Sequence, residues 1–123
     1  IDGRKHSLFG FSDETTADSA IFVSIDGNST VKDLTIAGAR IRSTACSSAP
    51  CLLAPLAVTN SGSITDVTAE DVKIITATAN TQTGGLVSVN DATGTISNAR
   101  VWGHVESRKN VGGITFTNSG SVS

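Results

Sequence analysis

The 123-residue chain has no methionine, no tyrosine, a single tryptophan and only six leucines. Long unbranched apolar side chains favour helices, so their scarcity argues against a helical bundle. The chain is instead rich in β-branched residues, with 11 valines, 10 isoleucines and 16 threonines. Because β-branched side chains suit the pleated surface of a sheet, the composition predicts an all-β protein.

Charge and long hydrophobic runs are also scarce. The nine basic and eleven acidic residues leave a formal net charge of -2, which gives no electrostatic reason to expect a nucleic-acid partner. No apolar run approaches the ~18 residues of a membrane helix, so we expect no membrane insertion by this segment. The chain opens on Ile1 without a visible signal peptide, and we expect it to be a fragment of a longer polypeptide.

The most informative positive feature is an internal repeat. In each copy a turn rich in Asn, Ser and Gly precedes an apolar anchor, and successive anchors lie 33, 32 and 26 residues apart. The anchors are Val31, Ile64, Ile96 and Val122. Further apolar residues follow Val31 and Ile64 in steps of three, two, three and two, and the third copy, after Ile96, is one residue shorter near Gly103.

These steps do not form a helical stripe, which needs apolar residues at i, i+3, i+4 and i+7. Two-residue steps are typical of strands, and each three-residue step allows a corner. We therefore predict three short strands per coil, near 22–25, 31–36 and 39–42 in one copy. Stacked coils would form a parallel β-helix or solenoid of three to four coils, right-handed by the crossover rule. An antiparallel β-sandwich is the alternative.

The repeat predicts that residues 1–123 form a single β-helix segment made of successive coils. The predicted coils span residues 1–21, 22–54, 55–84, 85–112 and a partial 113–123.

Several phrases of the sequence resemble the GLUG motif, a repeat of Gly-Gly-Leu-Val-Gly-x-Asn type followed by Gly-x-Ile-x-Asn-Ala. The phrases that carry the resemblance are Gly84-Gly85-Leu86-Val87-Ser88-Val89-Asn90, Gly94-Thr95-Ile96-Ser97-Asn98-Ala99 and Gly112-Gly113-Ile114. Ser88 stands where the family often has Gly, and Ala54-Pro55-Leu56 lacks the glycine pair.

This resemblance implies a β-helical segment of a large secreted or surface-anchored bacterial protein. Such repeats occur in adhesin-like proteins and in the N-terminal regions of immunoglobulin A1 metalloendopeptidases. The resemblance implies an extracellular or cell-surface location and no catalytic residue. We therefore expect a cell-adhesion stalk that presents lateral loops; the alternative is a non-catalytic accessory domain of a secreted protease or polysaccharide-active enzyme.

The two cysteines, Cys46 and Cys51, form a C-x4-C pair where one coil is longer than its neighbours. A zinc site needs further ligands, and only His6 and His104 are available, without motif spacing. The pair therefore predicts a local disulfide, as suits an exported protein. We expect no metal and no cofactor.

Loops of differing length follow the third predicted strand, near 43–54, 76–84 and 107–112. Loops on a rigid scaffold often carry binding, so residues around the last of them are the candidate binding site. They are Trp102, His104, Glu106, Arg108 and Lys109. Their aromatic and basic character favours a host or matrix protein or a glycan as partner, whereas the alternative is a solvated rim.

Polar residues also recur at equivalent positions. Asp33, Asp66 and Asn98 either stack as a polar ladder or bond backbone groups at a bend. No nucleophile or metal-hydrolase motif is present, so we expect no enzymatic activity from this segment alone. Strand edges at the ends of a solenoid predict end-to-end self-association.

Overall fold

A computed structural model describes residues 1–46, 50–78, 80–107 and 110–123. In these ranges the secondary structure consists of strands, joined by turns and bends. The strands are β1 (Asp2–Phe9), β2 (Ser12–Thr15), β3 (Phe22–Ile25), β4 (Thr30–Ala37), β5 (Arg40–Ser43), β6 (Cys51–Leu53), β7 (Ala57–Asn60), β8 (Ser63–Thr76), β9 (Thr81–Gly84), β10 (Val87–Asn90), β11 (Thr95–Ser97), β12 (Arg100–Glu106), β13 (Val111–Gly112), β14 (Thr115–Asn118) and β15 (Ser121–Val122).

The strands form three parallel sheets that together build a β-solenoid of about four turns. The eight-stranded sheet contains β1, β2, β4, β5, β8, β11, β12 and β15; the four-stranded sheet runs β3-β7-β10-β14; the three-stranded sheet runs β6-β9-β13. Each strand pairs in parallel with its counterpart about 30 residues away. This confirms the predicted all-β parallel solenoid over the sandwich, and its right-handed sense stays a prediction.

The register of the eight-stranded sheet follows the repeat residue by residue. Val31 pairs with Ile64, Ile64 with Ile96, and Ile96 with Val122. The one-residue shortening of the third copy is a bulge, because Val101 pairs with Ala69 whereas Gly103 pairs with Val72. The apolar anchors thus form one continuous column inside the solenoid.

The division of the strands among the sheets differs from the prediction. The second and third predicted strands of each coil lie in the same sheet, and in one coil they form the single 14-residue strand β8. The three-stranded sheet lies instead in the segments predicted as loops. Its inward side chains include Thr81 and Thr83, which are fully buried but polar. A buried threonine gives no hydrophobic alternation, so these strands resemble loops in the sequence.

The predicted disulfide joins Cys46 to Cys51, with both residues buried. It links Cys46 to the first residue of β6. The Cys51 N–H donates to the Asn80 carbonyl oxygen of the next coil at 3.1 Å. The disulfide therefore fixes the entry of the chain into the three-stranded sheet.

Candidate functional site

The only tryptophan lies at the bulge in β12. Gly103, the next residue, has φ 155°, and a Cβ there would collide with the backbone of Val72. Only glycine fits this close approach between coils. The bulge leaves Trp102 52% exposed although its strand forms part of the solenoid wall.

Trp102 borders a groove of about 260 Å³ at the C-terminal end of the solenoid. Its walls are apolar side chains and glycine backbone, namely Val72, Gly85, Val101, Gly103, Val105, Val111, Gly112 and Gly113. An indole ring beside such a groove offers a flat apolar surface with one N–H donor. This arrangement suits an apolar side chain or the face of a sugar ring.

His104 and Glu106 follow on the same strand but do not line that groove. Their side chains are largely exposed, and His104 Nε2 lies 3.7 Å from Glu106 Oε2. In register beside them on β8 stand Lys73 and Ile75. An exposed pair of this kind contributes little to stability, so the two side chains are free to contact a ligand next to Trp102.

The predicted site is therefore only partly assembled in the described structure. Trp102, His104 and Glu106 share β12, whereas Arg108 and Lys109 lie outside the described residues. The groove walls Val101, Val105 and Val111 were not in the predicted site. The repeat could have identified these three valines, because each continues a column of inward-facing residues.

A larger, polar groove of about 430 Å³ follows one corner of the solenoid. Lys5, Asp33, Asp66, Asn98 and Arg100 line it, together with neighbouring Leu34, Thr35 and Thr68. It is shallow and carries charges of both signs.

Asp33, Asp66 and Asn98 in this groove have φ of 53°, 54° and 49°. Asp and Asn tolerate the left-handed conformation better than other side chains, which explains their recurrence at the bend. The Asn98 Nδ2 also donates to Asp66 Oδ1 on the neighbouring coil. All three residues therefore adopt the backbone conformation of the bend, and Asp66 and Asn98 are also hydrogen-bonded across coils.

At the edge of this surface, the Arg4 backbone N–H donates to Asp2 Oδ1 at 2.9 Å. This hydrogen bond, assisted by the Lys32 ammonium 3.5 Å from Asp2 Oδ2, holds the pKa of Asp2 below its ordinary value. The charged form of Asp2 is thus favoured where β1 meets β4.

An internal asparagine ladder was not predicted. Asn60 Nδ2 donates to Asn90 Oδ1 and Asn90 Nδ2 donates to Asn118 Oδ1, both at 2.8 Å. Asn60 and Asn90 are fully buried. In the sequence, an Asn shortly before a Gly resembles a turn residue, and its recurrence in three copies was the available signal.

Within the described ranges, His, Cys, Asp and Glu form no group of three or more able to hold a metal ion. The same part of the chain contains no helix long and apolar enough to span a bilayer.

Comparison with known proteins found no matching family model, no matching curated protein and no matching solved structure.

Proposed function

We propose that this chain is a structural and binding segment of an extracellular protein, an adhesin-like β-solenoid that presents a lateral binding surface. The continuous register of the coils supports a stiff scaffold, because each coil is hydrogen-bonded to its neighbours along three sheets. The Cys46–Cys51 disulfide is consistent with an oxidising compartment.

The observation that carries the proposal is Trp102, half exposed on a rigid strand and bordering an apolar groove. Exposed aromatic side chains next to a groove are frequent anchors of binding. His104 and Glu106 add a donor and an acceptor further along the strand. We expect the ligand to be a host or matrix protein or a glycan that places an apolar face on the indole.

The test is binding of the purified chain to arrayed glycans and to immobilised extracellular-matrix proteins. Trp102→Ala should weaken any binding that the wild-type chain shows by at least about tenfold, which corresponds to about 1.4 kcal/mol. Phe9→Ala is the matched control, since Phe9 is 77% exposed on β1, outside the groove. Equal loss in both variants, or none in Trp102→Ala, would refute the site.

A further inference from the structure

One asparagine stands in the sequence pattern of N-linked glycosylation, in which Ser or Thr follows the asparagine by two positions. Of the seven asparagines in the chain, Asn28 alone has such a residue, Thr30, two positions after it. The residue between them is Ser29, and any residue except proline is accepted there. The pattern is short, so its meaning depends on where the fold places it.

Asn28 lies in the turn between β3 and β4. The Ser29 backbone N–H donates to the Asp26 carbonyl oxygen at 2.8 Å, which closes the turn. Asn28, Ser29 and Thr30 are all exposed. Within the described ranges, no hydrogen bond holds the Asn28 amide or the Thr30 hydroxyl, so both groups are available to an enzyme.

This turn is longer than the corresponding turn of the next coil. Ile25 pairs with Asn60 and Thr30 pairs with Ser63. Four residues therefore lie between the paired positions in the first turn, and only two lie between them in the second. The two additional residues have no counterpart in the next coil with which they could pair.

A second turn of the same length shows how neighbouring coils affect such a segment. The turn between β10 and β11 also has four residues, 91–94, and a hydrogen bond of 2.9 Å closes it in the same way. Coils lie on both sides of this turn, because β10 pairs with β7 and with β14. Its Ala92 and Thr93 are nevertheless exposed. The accessibility of Asn28 therefore follows from the length of its turn and not from the position of its coil in the stack.

We propose that Asn28 is the acceptor of an N-linked glycan, which the turn between β3 and β4 carries on the side of the solenoid. Surface loops of secreted proteins are the usual location of such glycans. The proposal relies on the proposed function only for the extracellular location. Asn28 and Thr30 are not among the residues of the groove beside Trp102, so the glycan site and the binding surface are separate.

The donor is an oligosaccharide joined through a diphosphate to a polyprenyl lipid, and an oligosaccharyltransferase supplies the catalytic groups. Asn28 Nδ2 forms a bond to the anomeric carbon of the first sugar, and the bond from that carbon to the diphosphate oxygen breaks. The lipid diphosphate leaves with the electron pair, and one proton of Nδ2 passes to a base of the transferase. Nothing is oxidised or reduced, and the Thr30 hydroxyl serves for recognition only.

The test incubates the purified, folded chain with a bacterial oligosaccharyltransferase and its lipid-linked oligosaccharide. The intact mass should rise by one oligosaccharide, and peptide mapping should place the gain on Asn28. Asn28→Gln and Thr30→Ala should each remove the gain, whereas Thr30→Ser should keep it, because serine also satisfies the pattern. A reference acceptor peptide verifies that the transferase is active, and a synthetic peptide of residues 22–34 presents the same sequence without the fold.

A matched variant moves the acceptor to the equivalent turn. Thr93→Asn in the Asn28→Gln background creates the same pattern with Thr95. Asp91 precedes the new acceptor by two positions, as Asp26 precedes Asn28. We expect the gain of one oligosaccharide to return, now at position 93, because the two turns share their length and their exposure.

Several results would overturn the acceptor site. If the peptide of residues 22–34 gains an oligosaccharide and the folded wild-type chain does not, the fold withholds Asn28 from the transferase. If neither gains one, the sequence is no acceptor. An unchanged gain in Thr30→Ala would also refute the site, and failure of the Thr93→Asn variant alone would refute turn length as the cause of its accessibility. None of these results depends on whether Trp102→Ala changes ligand binding.

Discussion

At the scale of single residues, the interior of this solenoid contains amides whose hydrogen bonds are satisfied by neighbouring coils. Asn60 donates to Asn90 across 2.8 Å, and its Oδ1 accepts the Gly62 N–H at 3.2 Å. A Cβ on Gly94 would collide with the Asn90 side-chain oxygen and the Asn60 carbonyl. The asparagines and the glycines that follow them therefore form one unit, in which glycine allows the backbone of one coil to approach the amide of another.

Removing the central amide should be the most damaging change in this ladder. Asn90→Leu leaves the buried Asn60 Nδ2 with only its longer contacts to the Gly62 and Thr95 carbonyl oxygens, at 3.3 Å and 3.4 Å. It also removes the donor to the Gly94 carbonyl oxygen, and a buried group that loses its hydrogen bond costs about 1–3 kcal/mol. We expect the free energy of unfolding, measured by denaturant titration, to fall by about 2–3 kcal/mol. Asn118→Leu changes the exposed end of the ladder and should cost less than half as much; equal losses would contradict a cooperative ladder.

A substitution at Thr83 should raise the free energy of unfolding instead of lowering it. Its side chain is fully buried between Leu53 and Val111, and its Oγ1 has no hydrogen-bond partner among the residues that the structure describes. Thr83→Val keeps the shape and removes the unpaired hydroxyl, so it should raise the free energy of unfolding by about 1 kcal/mol.

Thr81 is the matched control on the same strand, because it is equally buried but its Oγ1 lies 3.5 Å from Ser107 Oγ. Thr81→Val should bring no gain in the same denaturant titration. A gain of similar size in both variants would mean that hydroxyl pairing does not decide stability in β9.

At the scale of elements, the sequence predicted the eight-stranded sheet far better than the three-stranded one. The anchors Val31, Ile64 and Ile96 are large and apolar, so their spacing indicated the register directly. The strands of the three-stranded sheet bury Thr81 and Thr83, and polar inward residues conceal a strand from any hydrophobic pattern.

The candidate site was predictable from the sequence only in part. Trp102 stood out as the only tryptophan, but its groove depends on the Gly103 bulge and on the end of the columns. The bulge and the groove arise from the way successive coils stack, and no local sequence motif indicates them. The strands β7, β10 and β14 begin at Ala57, Val87 and Thr115, two residues after the predicted coil starts at 55, 85 and 113.

The disulfide should act on one element. Its cysteines are separated by 5 positions, and closing so short a loop contributes only about 2 kcal/mol in the chain-entropy description. Cys46→Ala/Cys51→Ala should lower the free energy of unfolding by no more than about that amount. Hydrogen exchange should rise at the amides of β6 first, including that of Leu52, which donates to Asp18 Oδ1 at 2.8 Å; uniform acceleration across β8 would contradict a local role.

At the scale of the whole molecule, the solenoid is a stack in which each coil contacts only its neighbours, so stability accumulates coil by coil. The groove beside Trp102 is lined by residues of more than one coil, Val72 and Val105 among them. The proposed binding surface therefore depends on the stacking of the coils.

The most direct test of this account is disulfide trapping of the register between neighbouring coils. Thr65 pairs with Ser97, and their hydroxyl oxygens lie 3.1 Å apart. Adjacent strands are about 4.8 Å apart, within the range of about 4.4–6.8 Å that a disulfide spans between Cα atoms.

Thr65→Cys/Ser97→Cys should therefore close a new disulfide on mild oxidation, identified by peptide mass mapping. Thr65→Cys/Thr95→Cys shifts one partner by two residues along the same face, to about 8 Å, and should remain open. Efficient closure of the in-register pair alone is the result that stacked parallel coils predict. Closure of the shifted pair instead, or of both pairs equally, would contradict the register on which the stacked coils and the Trp102 groove depend.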